Sequence, residues 1–410
     1  MKNDVEYLLS IVVPTRNRQF YAIQTVKQIL SIANKSTQVV VSDNSDDNSL
    51  KGMIEAINDD RVKYEFIDDR IPGVDNYANG ISMSDGKYIC CIGDDDGVLR
   101  EIIDVVNWAD DNNIKAIKPG VQASYIWPNT VELYKTGCLS LDTIDCSYKH
   151  INPKKELISF LKSGCIDFPE AKLVKAYHGI VRRDIFEKLK SRTGKFCGGL
   201  SPDIYLSVSL SLLIEDLVCL NIPLTIFGAC KQSTTGDSLN KNNVGKLEDA
   251  PHFVGQKYEW SSKVPRFYCG MNIWADSALH ALSDMKESDM MNLFSIEHLT
   301  SFCLLNYKNY EKEIMKNFYL NNGDIKVLND LLCFERASYR KRKFKALIKQ
   351  QKIIFELYKK IRDTYYKLAN TQSFSQNGVS DICDAERIVS KRINGSFKQL
   401  VATLTNESGQ

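Results

Sequence analysis

The chain has no Cys-x-x-Cys pair among its twelve cysteines, and its five histidines do not stand at ligand spacing from them. That pattern excludes a thiolate zinc site. No apolar N-terminal core with a small-residue cleavage site is present, so no secretory leader is read. Unpaired cysteines without a leader suit a reducing compartment, and the expected location is cytoplasmic. Glycine and proline are sparse, 22 and 10 of 410 residues, too few for a collagen-like or low-complexity chain. Charge of one sign is lacking too: the formal net charge is +2, which leaves no global basic field, so no nucleic-acid partner is expected. Long hydrophobic runs are missing. The most apolar stretch, 204–227, contains Glu215, Asp216, Asn221 and Pro223. A membrane span needs ~20 nearly uncharged residues, so this stretch reads as a buried helix followed by a strand.

What is present is an ordinary globular composition, 43% hydrophobic and 25% charged, over a length that suits two or three domains. In the first 120 residues apolar strand runs alternate with helical spacing. Strands are expected at 10–13, 38–41, 62–67, 87–92 and 114–117, and helices at 19–32, 50–57, 74–83 and 98–109. This is the rhythm of βαβ units and a parallel sheet. Further on, the pattern predicts helices at 154–162 and 204–220 and strands at 176–181 and 223–229. The twenty residues 231–250 carry no aromatic side chain and read as a long loop. Beyond Arg266 the pattern is helical to about residue 370, a linker follows near 370–380, and a last helix is expected at 384–404. The domains read as 1–265, 266–370 and 371–410, the last a linker and terminal helix.

Basic charge is concentrated in one place. Residues 336–367 hold twelve Lys and Arg against two acidic residues, a net +10. Phe344, Leu347, Ile354, Tyr358, Ile361, Tyr365 and Leu368 recur there at steps that suit one apolar helix face, with Gln351 as a break. Such a stretch suits peripheral contact with an anionic membrane, packing on the rest of the chain, or a homodimer seam.

The chemistry concentrates at Asp94-Asp95-Asp96. They end an apolar strand, Tyr88 to Ile92, after Gly93. Three adjacent carboxylates repel one another unless a cation offsets them. Hard divalent ions take carboxylate oxygens and share their coordination with phosphate, and ligands of open α/β sheets bind beyond the carboxyl ends of strands. Helix capping is the simpler alternative. An EF-hand loop starting at Asp94 fails, because Leu99 and Val105 stand where glycine and glutamate are required. Two further strand ends are polar: Pro14-Thr15-Arg16-Asn17-Arg18, and Ser42-Asp43-Asn44-Ser45-Asp46-Asp47. If their strands are parallel neighbours, Asp43 can accept from a base or ribose, and backbone near Pro14 can pair with a base edge. Gln232 to Asp237 has the small, flexible character of a lid, with Lys231 beside it.

Taken together, residues 10–18, 39–45 and 80–96 resemble the family-2 glycosyltransferases. The resemblance covers about residues 8–118 and fades beyond. It implies an α/β GT-A fold, Rossmann-like, with a mostly parallel central sheet flanked by helices, followed here by a C-terminal helical region. It implies inverting transfer of a sugar from a nucleotide-diphosphate donor, usually UDP-linked, in surface polysaccharide synthesis. The acceptor would be a glycan or a lipid-linked saccharide. By resemblance Pro14 and Thr15 contact the base beside Arg16 and Asn17, Asp43 holds the uracil, and Asp94 binds ribose or diphosphate. Asp95 and Asp96 are the expected ligands of Mn²⁺ or Mg²⁺. The Arg-Asn pair of the family is replaced by Tyr77-Ala78, and Asn76 is the expected substitute donor contact. Inversion needs one base, and Asp203, after Gly198-Gly199 and at a helix start, is the candidate, with Asp184 in reserve. His178 is expected near the site in a structural role.

Two alternatives stand beside this reading. One is a non-catalytic module that binds a nucleotide sugar or glycan. The other is a phosphatase, because Asp94-Asp95-Asp96-Gly97-Val98 also fits a D-x-D-x-V nucleophile motif.

Overall fold

The computed structural model describes residues 7–130, 135–145, 147–233, 244–249, 258–350 and 373–407. In the first half β1 (Leu9–Thr15), β2 (Thr37–Asp43), β3 (Val62–Phe66) and β4 (Tyr88–Cys91) alternate with α1 (Gln19–Ile32), α2 (Ser49–Glu55) and α3 (Gly73–Met83). Then follow β5 (Gly97–Val98), α4 (Glu101–Asp111), β6 (Ala116–Pro119), β7 (Ala123–Ile126), β8 (Cys138–Leu141), β9 (Tyr148–Ile151), α5 (Pro153–Lys162), β10 (Ile180–Arg182), α6 (Arg183–Thr193), α7 (Pro202–Leu213), β11 (Leu217–Leu220) and β12 (Thr225–Ala229). The remainder is α8 (Gly270–Asp284), α9 (Ser288–Met291), α10 (Ile296–Asn306), α11 (Glu311–Leu320), α12 (Ile325–Gln350), β13 (Phe374–Asn377) and α13 (Ile382–Glu407).

The main sheet has the order β3-β2-β1-β4-β10-β6-β11-β9. β1 is parallel to both β2 and β4, and β2 to β3, whereas β10 runs antiparallel to its neighbours β4 and β6. β1 is apolar on both faces because both are covered. Ile11 and Val13 join the core beneath α1, and Val12 joins the core beneath α3. Gly80 allows α3 to lie close, since a Cβ there would fall 2.6 Å from Val12 Cγ1. The chain leaves β1 for β2 on one side and returns to β4 on the other. The carboxyl ends of these strands therefore flank the switch point where doubly wound sheets bind ligands.

A second sheet, β13-β8-β7-β12-β5, lies under the acidic turn. The helices after residue 266 do not form an isolated unit. Leu157, Phe160 and Leu161 of α5 and Ile204, Tyr205 and Val208 of α7 share one core with Ala278, Leu279, Leu282, Leu299, Phe318 and Leu328. At about 1.5–3 kcal/mol for each fully buried large apolar side chain, this shared core ties the C-terminal helices to α5 and α7. The α/β class and the C-terminal helical region agree with the expectation.

Three local readings differ. The helix expected over 204–220 stops at Leu213, because exposed Glu215 and Asp216 interrupt the apolar face, and 217–220 become the inserted strand β11. The strand expected over 176–181 shrinks to Ile180–Arg182, because His178 takes a left-handed backbone with φ 63°. The segment read as linker and tail supplies β13 to the second sheet and α13 to the N-terminal core. Residues 234–237 of the expected lid, and the side chains of 341–367 in the basic stretch, lie outside the described residues.

Candidate active site

Parallel pairing brings the polar strand ends to one edge, with Thr15 opposite Asp43 in register. Asn17 turns the chain with φ 55°, and its side chain and that of Asp46 close the gap between the two ends, with Asn17 Nδ2 2.7 Å from Asp46 Oδ2. Arg16 donates to the Asn44 carbonyl at 2.6 Å and pairs with Asp46. Asp43 is fully buried. One of its oxygens accepts from the Ser45 amide at 2.9 Å and the other from the Tyr64 hydroxyl at 2.9 Å. Asp43 thus shapes the β2 end and does not line the cleft described below. Asn76 accepts from Ser42 at 2.7 Å and donates to the Thr15 carbonyl at 3.0 Å, fixing α3 to the ends of β1 and β2.

The acidic trio is buried in full. α4 starts at Glu101, after Arg100, with no side-chain cap, so the carboxylates are not helix caps. Asp94 accepts from the Thr15 hydroxyl at 2.6 Å and meets Arg18 Nη2 at 2.8 Å. Burial pushes its carboxyl up to about 7, against the opposing pull of Arg18. Burial on its own would lower the Arg18 pKa, but Asp94 and Asp95 reverse this and raise it. Asp95 Oδ2 accepts from the Cys230 amide at 2.9 Å. Asp96 is held by the Gly93 amide at 2.6 Å, the Tyr177 hydroxyl at 2.8 Å, His178 Nε2 at 3.0 Å and the Gly228 amide at 2.6 Å. Burial would raise Asp96, yet His178 and these donors hold it below the usual carboxylate range. His178 Nδ1 lies 2.9 Å from Thr225 Oγ1, and the ring stacks on Phe227.

These contacts decide what the trio can hold. Among the described residues, every carboxylate oxygen of the three accepts a protein hydrogen bond except two: Asp94 Oδ1, enclosed with only the ion pair to Arg18 Nη2 at 2.8 Å, and Asp95 Oδ1, whose nearest cation is Arg18 Nη1 at 3.6 Å. Gly93 keeps this oxygen open, since a Cβ there would lie 3.3 Å from Asp95 Oδ1 and 2.9 Å from Asp96 Oδ2. No group of three or more His, Cys, Asp or Glu among the described residues is arranged to hold a metal ion alone. With Asp95 Oδ1 as the oxygen left without a close donor, the trio fits Mg²⁺ or Mn²⁺ only if substrate phosphate and water complete the coordination.

Above the trio is a cleft of about 380 Å³, lined by Pro14, Thr15, Arg16, Arg18, Arg70 to Val74, Asn76, Tyr77, Ile92, Gly93, Tyr177, Leu200 and Pro202. Asp203 follows Pro202 at the first turn of α7. Its Oδ1 accepts from Ser201 Oγ and from the Ile204 amide at 2.9 Å, leaving Oδ2 without a partner among the described residues. Asp184 instead pairs with Arg182 and lines a separate surface hollow with Tyr7 and Lys87. The nucleophile reading of Asp94 meets an obstacle here, because its side chain is fully enclosed, with Oδ2 bonded to Thr15 and Oδ1 against Arg18.

Four contributions were not assigned from sequence: Arg18 as counter-charge, the Tyr177 hydroxyl, the Gly228 and Cys230 amides, and exposed Arg70 on the cleft wall. Arg18 was within reach of sequence reasoning, since a buried acidic cluster requires a cation and Arg18 closes the β1 motif. The amides arrive from β12, more than a hundred residues away, and carry no side-chain signal.

Residues 10–166 match the family model Glycosyl transferase family 2. Over 94 residues the chain is 31% identical to the GalNAc(5)-diNAcBac-PP-undecaprenol beta-1,3-glucosyltransferase of Campylobacter jejuni, a match covering 22% of this chain and 30% of that protein. Among solved structures, S. aureus TarS is similar at 12% identity and a TM-score of 0.39, over 76% of this chain and 54% of that one. TarS 1-349 in complex with UDP-GlcNAc matches at 13% identity and a TM-score of 0.41, over 78% of this chain and 93% of that one.

Proposed function

We propose that this chain is a family-2 glycosyltransferase, a reading supported by the family match over residues 10–166, and that it transfers a sugar, with inversion, from a nucleotide-diphosphate donor, UDP-linked, to a hydroxyl of a glycan or lipid-linked saccharide. The observation that carries this reading is the enclosed acidic trio beside an arginine-lined cleft at the sheet's switch point, whose wall includes Pro202, the residue before Asp203. The Campylobacter relative, which is named for an undecaprenol-linked acceptor, supports the acceptor class.

In the proposed reaction the acceptor oxygen attacks the anomeric carbon as the bond to the diphosphate oxygen breaks. Asp203 takes the hydroxyl proton through its free Oδ2, and the diphosphate leaves with the bonding pair. Arg70, exposed and unpaired among the described residues, is the guanidinium available to the departing charge. Arg16 and Arg18 are already committed to Asp46 and to Asp94. Pro14, Thr15, Arg16 and Asn76 form the donor wall. Asp95, with Asp96 beside it, would hold a divalent ion that lowers the cost of charge on the leaving group when bound.

Among the described residues no helix is long and apolar enough to cross a membrane. The basic stretch 336–367 is proposed to bring the protein to an anionic membrane surface, where a lipid-linked acceptor resides.

The test is a thermal-shift screen of UDP-, GDP- and dTDP-sugars with and without Mn²⁺, followed by assay of nucleotide release. A ligand that binds the native state alone raises its stability according to affinity. UDP-sugars are expected to shift the midpoint most. Asp203→Asn is expected to bind donor as the wild type does and to release no UDP. Equal turnover by Asp203→Asn would end the assignment of the base, and indifference to every nucleotide sugar would end the donor reading.

A further inference from the structure

The turn that carries the acidic trio continues directly into Gly97–Val98, a strand of two residues. So short a strand has little stability of its own. On one side it is held by β12, with Thr225 opposite Val98 and Ile226 opposite Gly97. From α1, Gln28 donates to the Val98 carbonyl at 2.8 Å and accepts from its amide at 2.9 Å. The remaining support comes from α13, far away in sequence. Ile382 lies so close to Gly97 that a Cβ there would fall 2.7 Å from Ile382 Cγ1. Glu386 grips Arg100 with two bonds, Nε to Oε1 at 2.8 Å and Nη2 to Oε2 at 3.0 Å. Ser390 donates to Glu101 at 2.8 Å and lies 3.0 Å from Glu386.

We infer that α13 is a positioning clamp for the donor site: by fixing Gly97 to Glu101 from outside, it sets the acidic trio against the amide donors that β12 delivers. Gly228 and Cys230 belong to β12 and the residue after it, while Asp95 and Asp96 immediately precede β5. The spacing between β5 and β12 therefore fixes the carboxylate contacts. Trp127, the residue after β7, adds a bond from its indole to the Asp95 carbonyl at 2.8 Å. β13 closes the far edge of the same sheet, and the Val379 carbonyl just beyond it accepts from the Tyr125 hydroxyl at 3.1 Å. The clamp thus acts on the carboxylates through backbone and touches no substrate. Its effect on donor affinity rests on the function proposed above, whereas its effect on the turn does not.

Hydrogen exchange on the full chain separates a clamp from a helix that merely adds stability. In Arg100→Ala and Glu386→Gln, amide exchange over 93–98 and 225–230 is expected to speed up by about tenfold, with exchange in α8 and α10 unchanged. The apparent affinity for UDP with Mn²⁺ is expected to fall by about tenfold. Arg100→Lys, which keeps a donor to Glu386, is expected to restore most of both. Exchange that stays at the wild-type rate over 93–98, or that rises evenly across the chain, overturns the clamp. If the wild type binds no UDP while the local exchange response appears, the clamp stands and the donor reading falls.

Discussion

Arg18 and Asp94 meet at 2.8 Å below the cleft floor, and the carboxylate of that pair is fully enclosed. Removing one partner of a buried pair strands the other charge, at a cost of about 3–5 kcal/mol. Arg18→Met is therefore expected to lose stability on that scale in urea denaturation. The double variant Arg18→Met with Asp94→Asn is expected to recover a large part of it, because no charge is left stranded. A single variant within about 1 kcal/mol of wild type would show that the pair contributes as little as an exposed one.

Lys175 gives the fold a measurable pH signature. Its ammonium lies 3.4 Å from the centre of the Phe168 ring and 3.2 Å from the Phe168 carbonyl. Burial, reinforced by Lys118, pushes its pKa down from 10.5 to about 7, with Asp203 and Glu170 opposing. Between those two values the unfolded chain holds a proton that the native state lacks, so this group makes stability rise with pH. The difference between wild type and Lys175→Met is expected to grow in favour of wild type from about pH 7 upward. A difference that is flat over that window would mean that the amine keeps its proton in the folded protein.

Tyr319 and Leu320 at the end of α11 and Phe334 within α12 are exposed, Phe334 at 81%. Phe334 stands two residues before the stretch of net charge +10. Aromatic and aliphatic side chains beside clustered Lys and Arg suit an anionic lipid surface. The protein is expected to co-sediment with vesicles containing anionic lipid, and to bind them more weakly when Leu320 and Phe334 are both changed to serine. Equal binding to purely zwitterionic vesicles would remove the electrostatic account. A concentration-dependent dimer that forms without lipid, and dissociates in the serine variant, would assign the surface to a second copy.

How much of this was legible in sequence depends on the range of the interaction involved. α1 was read over its actual span, and β1 to β4 within a few residues, because β1, β2 and β4 are covered on both faces, β3 alternates and α1 is covered on one face, and each leaves a plain apolar pattern. The acidic trio and Asp203 stand out in the sequence as candidates. Their environment does not. Asp43 reads the same whether it faces a ligand or, as here, the Tyr64 hydroxyl and the Ser45 amide. The second sheet was largely missed because its strands are two to five residues long and scattered from Gly97 to Asn377. α13 was found as a helix, but its partners are set by tertiary packing, and periodicity identifies an apolar face without naming what covers it.

The return of the chain at residues 374–404 has a temporal consequence. A ribosome delivers β1 to β12 well before it delivers the last strand and helix. During that interval the apolar faces of Val98, Leu99 and Ile102 lack the covering that Ile382, Ala385 and Val389 later supply. The nascent chain therefore stays partly assembled until residues 374–404 emerge, and exposed apolar surface of that kind is prone to aggregate. Slowing translation between the two regions would lengthen that vulnerable interval without changing any residue of the finished molecule.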